Sequence, residues 1–228
     1  QSDIRYHQLS ASDRISLRSS AATWAMMDDL NEEDSKHLAR QIAWLNSHGP
    51  DDWHRVALDF NWDGPLYVLD WIVRQEDCDM ATALTIFWKG EPAYWIDDAQ
   101  SSDEEPNGFS YLNRKLCTYI AGRIGQRGYK RSKIGFAPDA WTKQSFDELV
   151  DMESALSQPR FRTHRDLLRR CRGRRVTNDP DFYSRYPAEF HDTVLVEPPG
   201  LDFRSFRSIA HWKYIEVCAK LRRLVFNR

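Results

Sequence analysis

The stretch Trp53–Tyr94, WHRVALDFNWDGPLYVLDWIVRQEDCDMATALTIFWKGEPAY, decides the fold. It divides into three apolar segments separated by turn chemistry. Trp53, Val56, Ala57 and Phe60 recur at i, i+3, i+4 and i+7, the spacing of one helical face, and Asp51 or Asp52 starts that helix. Asn61-Trp62-Asp63-Gly64 turns the chain, and Pro65 suits the first position of a second helix. That helix runs to about Gln75 and buries Leu66, Leu69 and Val73. Asp77 or Asp79 caps a third, which carries Met80, Leu84, Phe87 and Trp88 on one side and stops at Gly90. Helices this short gain most of their stability from tertiary packing, so they must stack on one another. The predicted fold class is mainly α: stacked short helices with a few short extended segments.

Upstream, Asn31 caps a helix whose first turn holds Glu32, Glu33 and Asp34, matched to the positive end of the helix dipole. Leu38, Ile42 and Leu45 form its apolar face, and Gly49-Pro50 ends it. Downstream, Phe109, Leu112, Leu116, Ile120 and Ile124 define a long helix ending at Gly128. Lys133–Pro138 reads as extended, and Phe146, Leu149, Val150 and Leu156 mark another helix before Pro159. Thr193–Glu197 suggests a strand, and Phe203–Phe226 a last helix. No repeat of fixed period is visible.

Composition narrows the class. With 41% hydrophobic and 29% charged residues in 228, the chain can bury a full core and does not read as disordered. No apolar run approaches the roughly 18–20 residues that span a bilayer, and no leader is visible in Gln1–Ser20. Cys78, Cys117, Cys171 and Cys218 stand far apart with no CxxC pair, which points to reduced thiols in a cytoplasmic protein.

The net charge of −2 conceals a division. Gln1–Gly108 holds 8 Lys+Arg against 21 Asp+Glu, a net of −13, and Phe109–Arg228 holds 24 against 13, a net of +11. The sign changes across the polar stretch Asp97–Gly108, DDAQSSDEEPNG. An acidic helical half over 1–96, a linker or loop over 97–108 and a basic helical half over 109–228 are expected, with one continuous domain as the alternative. The two halves either neutralise each other internally or present charge to partners.

Several elements of Trp53–Tyr94 resemble the bacterial family called domain of unknown function 4274. They are Asn61-Trp62-Asp63-Gly64, the helix into Trp71-Ile72, and Cys78-Asp79 followed by Thr82-Ala83-Leu84 and Phe87-Trp88. The resemblance extends more weakly through Phe109–Pro138. Family members often carry an acidic pair after the tryptophan, whereas here Gly64 follows Asp63. The resemblance implies a small accessory protein without an established enzymatic activity. By analogy with related families of unknown function, it also implies an immunity protein beside a secreted toxin.

Three constellations could carry chemistry. Asp59-x-Asn61-x-Asp63-Gly64-x5-Asp70 has the oxygen spacing of an EF-hand calcium loop. Its last position is Asp70 rather than Glu, however, and His54 and Arg55 stand where the entering helix should be apolar, so it reads as a turn. No metal or other cofactor is expected. Between Arg160 and Arg175 lie eight arginines, of which Arg162, Arg165, Arg169 and Arg172 would share one face of a helix and could track phosphates. The acidic residues Glu32, Glu33, Asp34, Asp97, Asp98, Asp103, Glu104 and Glu105 could form a negative surface that meets a basic partner.

Catalytic patterns are missing: there is no HExxH, GxSxG, P-loop or dinucleotide fingerprint, and the pairs His191-Asp192 and His164-Asp166 are unspecific. The expected function is therefore non-catalytic protein binding, with no membrane partner. Its sharpest version is an immunity protein whose acidic surface occludes the active site of a basic bacterial toxin. The alternative is nucleic-acid binding through Arg162, Arg165, Arg169 and Arg172.

Overall fold

The structure is a computed structural model that describes residues 30–62, 64, 66–97, 109–177, 180–190 and 193–194. All of them fall within one compact unit, Gln1–Val194. Helix α1 spans Glu32–Asn46, and the Asn31 side chain accepts from the Asp34 amide at 2.9 Å, as a helix cap should. Its inward face is Leu38, Gln41, Ile42 and Leu45. The Gly49-Pro50 pair serves the next element rather than this one. Gly49 is extended at the N-cap of α2, Pro50–Leu58, and Pro50 fills the first turn, where a missing N–H costs nothing.

Helices α3, Tyr67–Arg74, and α4, Met80–Lys89, form the centre. Neither has the one-sided apolar face that its spacing predicts. Every residue from Tyr67 to Val73 and from Met80 to Trp88 is buried. The reason is neighbours: α4 packs against α2, α3 and the later helix α5, so no side remains for water. Ala81, Thr82, Ala83 and Thr85 are small enough to let those neighbours close in, and the Thr85 hydroxyl is satisfied by the Ala81 carbonyl at 2.8 Å. Asp79, not Asp77, is the cap, accepting from the Ala81 amide at 3.0 Å.

Helix α5 spans Phe109–Gly125 and turns Leu112, Leu116, Ile120 and Ile124 inward. It ends before Gly128, and the left-handed position after it is Arg127, at φ 56°. Helix α6 spans Ala140–Ala155, capped by Asp139, which accepts from both the amide and the hydroxyl of Thr142 at 2.7 Å. Its apolar face is narrower than the spacing predicts, since Leu149 is buried but Val150 is 37% exposed.

Extended pairing is limited to isolated bridges among the described residues, including Ile134 with Arg174 and Phe136 with Cys171. Val194 makes one with Phe60, while 195–197 of the expected strand and the helix expected over Phe203–Phe226 lie outside the described residues. A last short helix, α7 at Pro180–Arg185, and a 3-10 turn at Ala188–Phe190 place Phe182, Tyr186 and Phe190 beside α1. There the Trp44 ring meets Tyr186 edge-on at 4.8 Å, and His37 meets Phe190 at 5.3 Å. Cys78, Cys117 and Cys171 are buried free thiols, and Cys218 lies outside the described residues. No described helix is long and apolar enough to cross a membrane.

Candidate interaction surface

The arginine segment is extended, not helical. Its only regular element is the 3-10 turn Arg165–Leu168, opened by the His164 ring, which accepts from the Asp166 amide at 3.1 Å. The helical face predicted for Arg162, Arg165, Arg169 and Arg172 does not form. At Cys171 and Arg174 the backbone groups that a helix would use are taken by the segment 133–136. Phe136 and Cys171 exchange both amide bonds, at 3.1 and 2.9 Å. The Gly135 amide donates to Arg174 at 2.8 Å, and the Arg174 amide to Lys133 at 2.9 Å.

The two backbones cross at Gly173. A Cβ there would lie 2.3 Å from the Lys133 carbonyl atoms and 2.4 Å from the Ile134 carbonyl carbon, so only glycine fits. Four apolar side chains fasten the segment inward: Phe161, Leu167, Cys171 and Val176 are all buried. Phe161 lies edge-on to Phe87 of α4, and the Trp88 indole donates to the Leu167 carbonyl at 2.9 Å.

With the apolar residues turned in, the arginines turn out. Arg162, Arg165, Arg169, Arg170, Arg172, Arg174 and Arg175 are all exposed, as are Lys130 and Lys133 on the facing segment. Arg162 pairs with Glu153 of α6 at 3.1 Å, and Arg174 pairs with Asp51 of α2. Arg165, Arg169, Arg170, Arg172 and Arg175 make no ion pair among the described residues.

Asp79 links this surface to the core. It has no exposed surface, and besides capping α4 it accepts from the Lys133 and Ile134 amides through its second oxygen, at 2.7 and 3.2 Å. Sequence reading found the cap and missed the second task. A cap occupies one carboxylate oxygen, and the other must find donors when buried, but nothing in the sequence points to residues 54 positions away.

The buried titratable groups in and around the central helices are committed to structure. His54 is buried and bonded to the Thr82 hydroxyl at 3.0 Å. Burial pushes its pKa down to about 4, with Lys89 and Arg55 acting the same way and Asp51 opposing, so it is neutral at pH 7. Both Asp70 oxygens take the Arg74 guanidinium, at 2.7 and 2.8 Å, and Arg74 lies over the Tyr119 ring. Asp70 is thus engaged where a calcium loop would need it, and no cluster of three acidic, His or Cys side chains suited to a metal occurs among the described residues. Asp63 lies outside them. Burial drives the Cys78 thiol up to about 12 and that of Cys117 higher still.

The acidic residues are dispersed. Glu32, Glu33 and Asp34 are exposed in the first turn of α1, where Glu32 holds Lys36 at 2.7 Å and Asp34 takes the Asn31 amide. Asp97 is half-buried and bridges to Pro159, beside the start of the arginine segment. Asp98, Asp103, Glu104 and Glu105 lie outside the described residues, as do His191 and Asp192.

Fold and surface together define a mainly α-helical protein with a close-packed centre and a cationic surface segment clasped to it. Residues 48–113 match the family model of a domain of unknown function (DUF4274), which bears out the resemblance carried by Trp53–Tyr94. The match reaches from just before α2 into the start of α5, stops short of the weaker extension to Pro138, and leaves the arginine segment outside. No curated protein and no solved structure matches the chain.

Proposed function

We propose that this chain is a non-catalytic protein-binding protein, and in its sharpest form an immunity protein that neutralises a bacterial toxin by occluding its active site. The observation that supports it most is the division of labour among charged groups. In and beside the central helices His54, Asp70 and Asp79 are buried and spent on hydrogen bonds that hold the fold, whereas Arg165, Arg169, Arg170, Arg172 and Arg175 face water from the clasped segment and make no ion pair among the described residues. A rigid scaffold that displays charge is suited to fast, oriented docking. The acidic clusters first expected to form the docking face carry less of the case, because Glu32, Glu33 and Asp34 serve the start of α1.

The test is co-expression with toxins encoded beside this gene. Survival of cells producing an otherwise lethal neighbour, together with recovery of the pair as a complex, is the expected result. Unchanged killing and no complex with any neighbouring product would sink the reading.

A second reading, nucleic-acid binding, draws on the exposure of Arg162, Arg165, Arg169 and Arg172. Salt-sensitive retardation of duplex or single-stranded nucleic acid would favour it, and its absence would remove it.

A further inference from the structure

The docking partner can be specified by its chemistry, on the reading of the chain as a protein-binding protein. We infer that the exposed arginines between Arg162 and Arg175 receive a protein surface bearing clustered carboxylates. Between Arg160 and Arg175 the sequence has eight arginines and no lysine. The guanidinium presents a planar fork of donors that matches a carboxylate oxygen by oxygen, which an ammonium does not.

The molecule already shows both modes of such recognition. Arg74 grips Asp70 through two nitrogens, and Arg174 meets Asp51 through two nitrogens on one oxygen. Arg165, Arg169, Arg170, Arg172 and Arg175 offer the same groups outward, unpaired among the described residues. Their backbone is fixed by Phe161, Leu167, Cys171 and Val176 beneath and by the crossing at Gly173, so binding need order only side chains.

Phosphate is the other anion these forks accept, and the surroundings weigh against a nucleic acid. Helix α6 packs on the Arg165–Leu168 turn and carries Asp147, Glu148 and Asp151 exposed, with Glu153 at its end on Arg162. Glu153 already takes Arg162, so a phosphate backbone that followed the whole segment would meet a carboxylate there, whereas a compact acidic patch on a protein need not. The one aromatic residue within the segment, Phe161, is buried and unavailable for stacking on bases. The whole-chain charge of −2 supplies no general attraction to a polyanion.

The experiment is fluorescence anisotropy on the full chain with two labelled probes, an oligoglutamate peptide and duplex DNA of matched charge, at several salt concentrations. The variants are the triple reversal Arg165→Glu, Arg169→Glu, Arg172→Glu and the charge-preserving triple Arg165→Lys, Arg169→Lys, Arg172→Lys. The expected result is salt-sensitive peptide binding, tighter than duplex binding, that weakens about tenfold or more on reversal and by less on lysine substitution. Peptide binding unaffected by the reversal overturns the assignment of the surface. Duplex bound more tightly than peptide, and lost in the same variant, gives the surface to nucleic acid and overturns the carboxylate assignment. Both triple variants should retain the wild-type melting temperature, since they change only exposed side chains. A neighbouring gene product captured equally by wild type and the reversal variant leaves the protein-binding reading standing and places its surface elsewhere.

Discussion

Asp79 and His54 lie 25 positions apart, and each supports a different joint of the fold. Three backbone amides depend on the Asp79 carboxylate, those of Ala81 and Ile134 buried and that of Lys133 partly so. Asp79→Ala strands all three, and each unsatisfied donor costs about 1–3 kcal/mol. A loss of about 3–5 kcal/mol in urea unfolding is expected, whereas a replacement no more costly than an ordinary exposed substitution would deny the carboxylate this role. His54 gives a pH dependence. Its imidazole titrates at 6.5 when unfolded and at about 4 when folded. Between those values the unfolded chain binds more protons, so stability is complete above pH 6.5 and falls as pH drops towards 4. The difference amounts to about 3 kcal/mol at most. His54→Gln should flatten this part of the stability–pH curve, and an unchanged slope would count against a neutral buried imidazole. The sequence shows Asp79 as a cap because capping is local. It shows His54 only as a residue unsuited to the entering helix of a calcium loop, because Thr82, its partner, belongs to another helix.

Helix α4 is marked in the sequence by a single apolar stripe and is buried on every side. Met80, Leu84, Phe87 and Trp88 mark one stripe, yet Ala81, Ala83 and Ile86 on the other sides are just as buried. Periodicity detects a contrast between faces, and a helix surrounded by others has none to detect. Leu84→Ala, at the centre, should cost about 2–5 kcal/mol by denaturant unfolding, the range for large cavities in a packed core. The arginine segment departs from its local pattern in the opposite direction. Its spacing is compatible with a helix, but the close crossing of Gly173 over Lys133 and Ile134 fixes it as extended, and such a contact between distant backbones leaves no trace in local pattern. Gly173→Ala should therefore destabilise the protein by about 1–3 kcal/mol, the usual cost of overpacking. Hydrogen exchange should show the loosening at Cys171, Arg174, Gly135 and Phe136, whose amides close the crossing. Full protection of those amides in the variant would contradict the crossing.

At the scale of the whole molecule, the family-matched segment is not self-sufficient. Trp88 bonds to Leu167, Asp79 to Lys133 and Ile134, and the Ile96 carbonyl accepts from the Arg160 amide at 2.9 Å. Residues 48–113 alone would expose α3 and α4 where α5 and the arginine segment cover them, so the isolated piece should show weak helical circular dichroism and no cooperative melt. A cooperative transition in that piece would refute this dependence. The division of charge along the sequence also takes on a spatial meaning: the acidic and basic stretches meet at Asp51 and Arg174, while most of the segment's arginines remain outward. Local pattern made the helical class and the matched segment legible, but not which charges would face water. The most direct measurement is calorimetric titration of the purified chain with the product of an adjacent toxin gene, read beside the toxin's activity. An equimolar complex, with activity lost in step with the fraction bound, is the predicted result; full toxin activity with no heat of binding would contradict it.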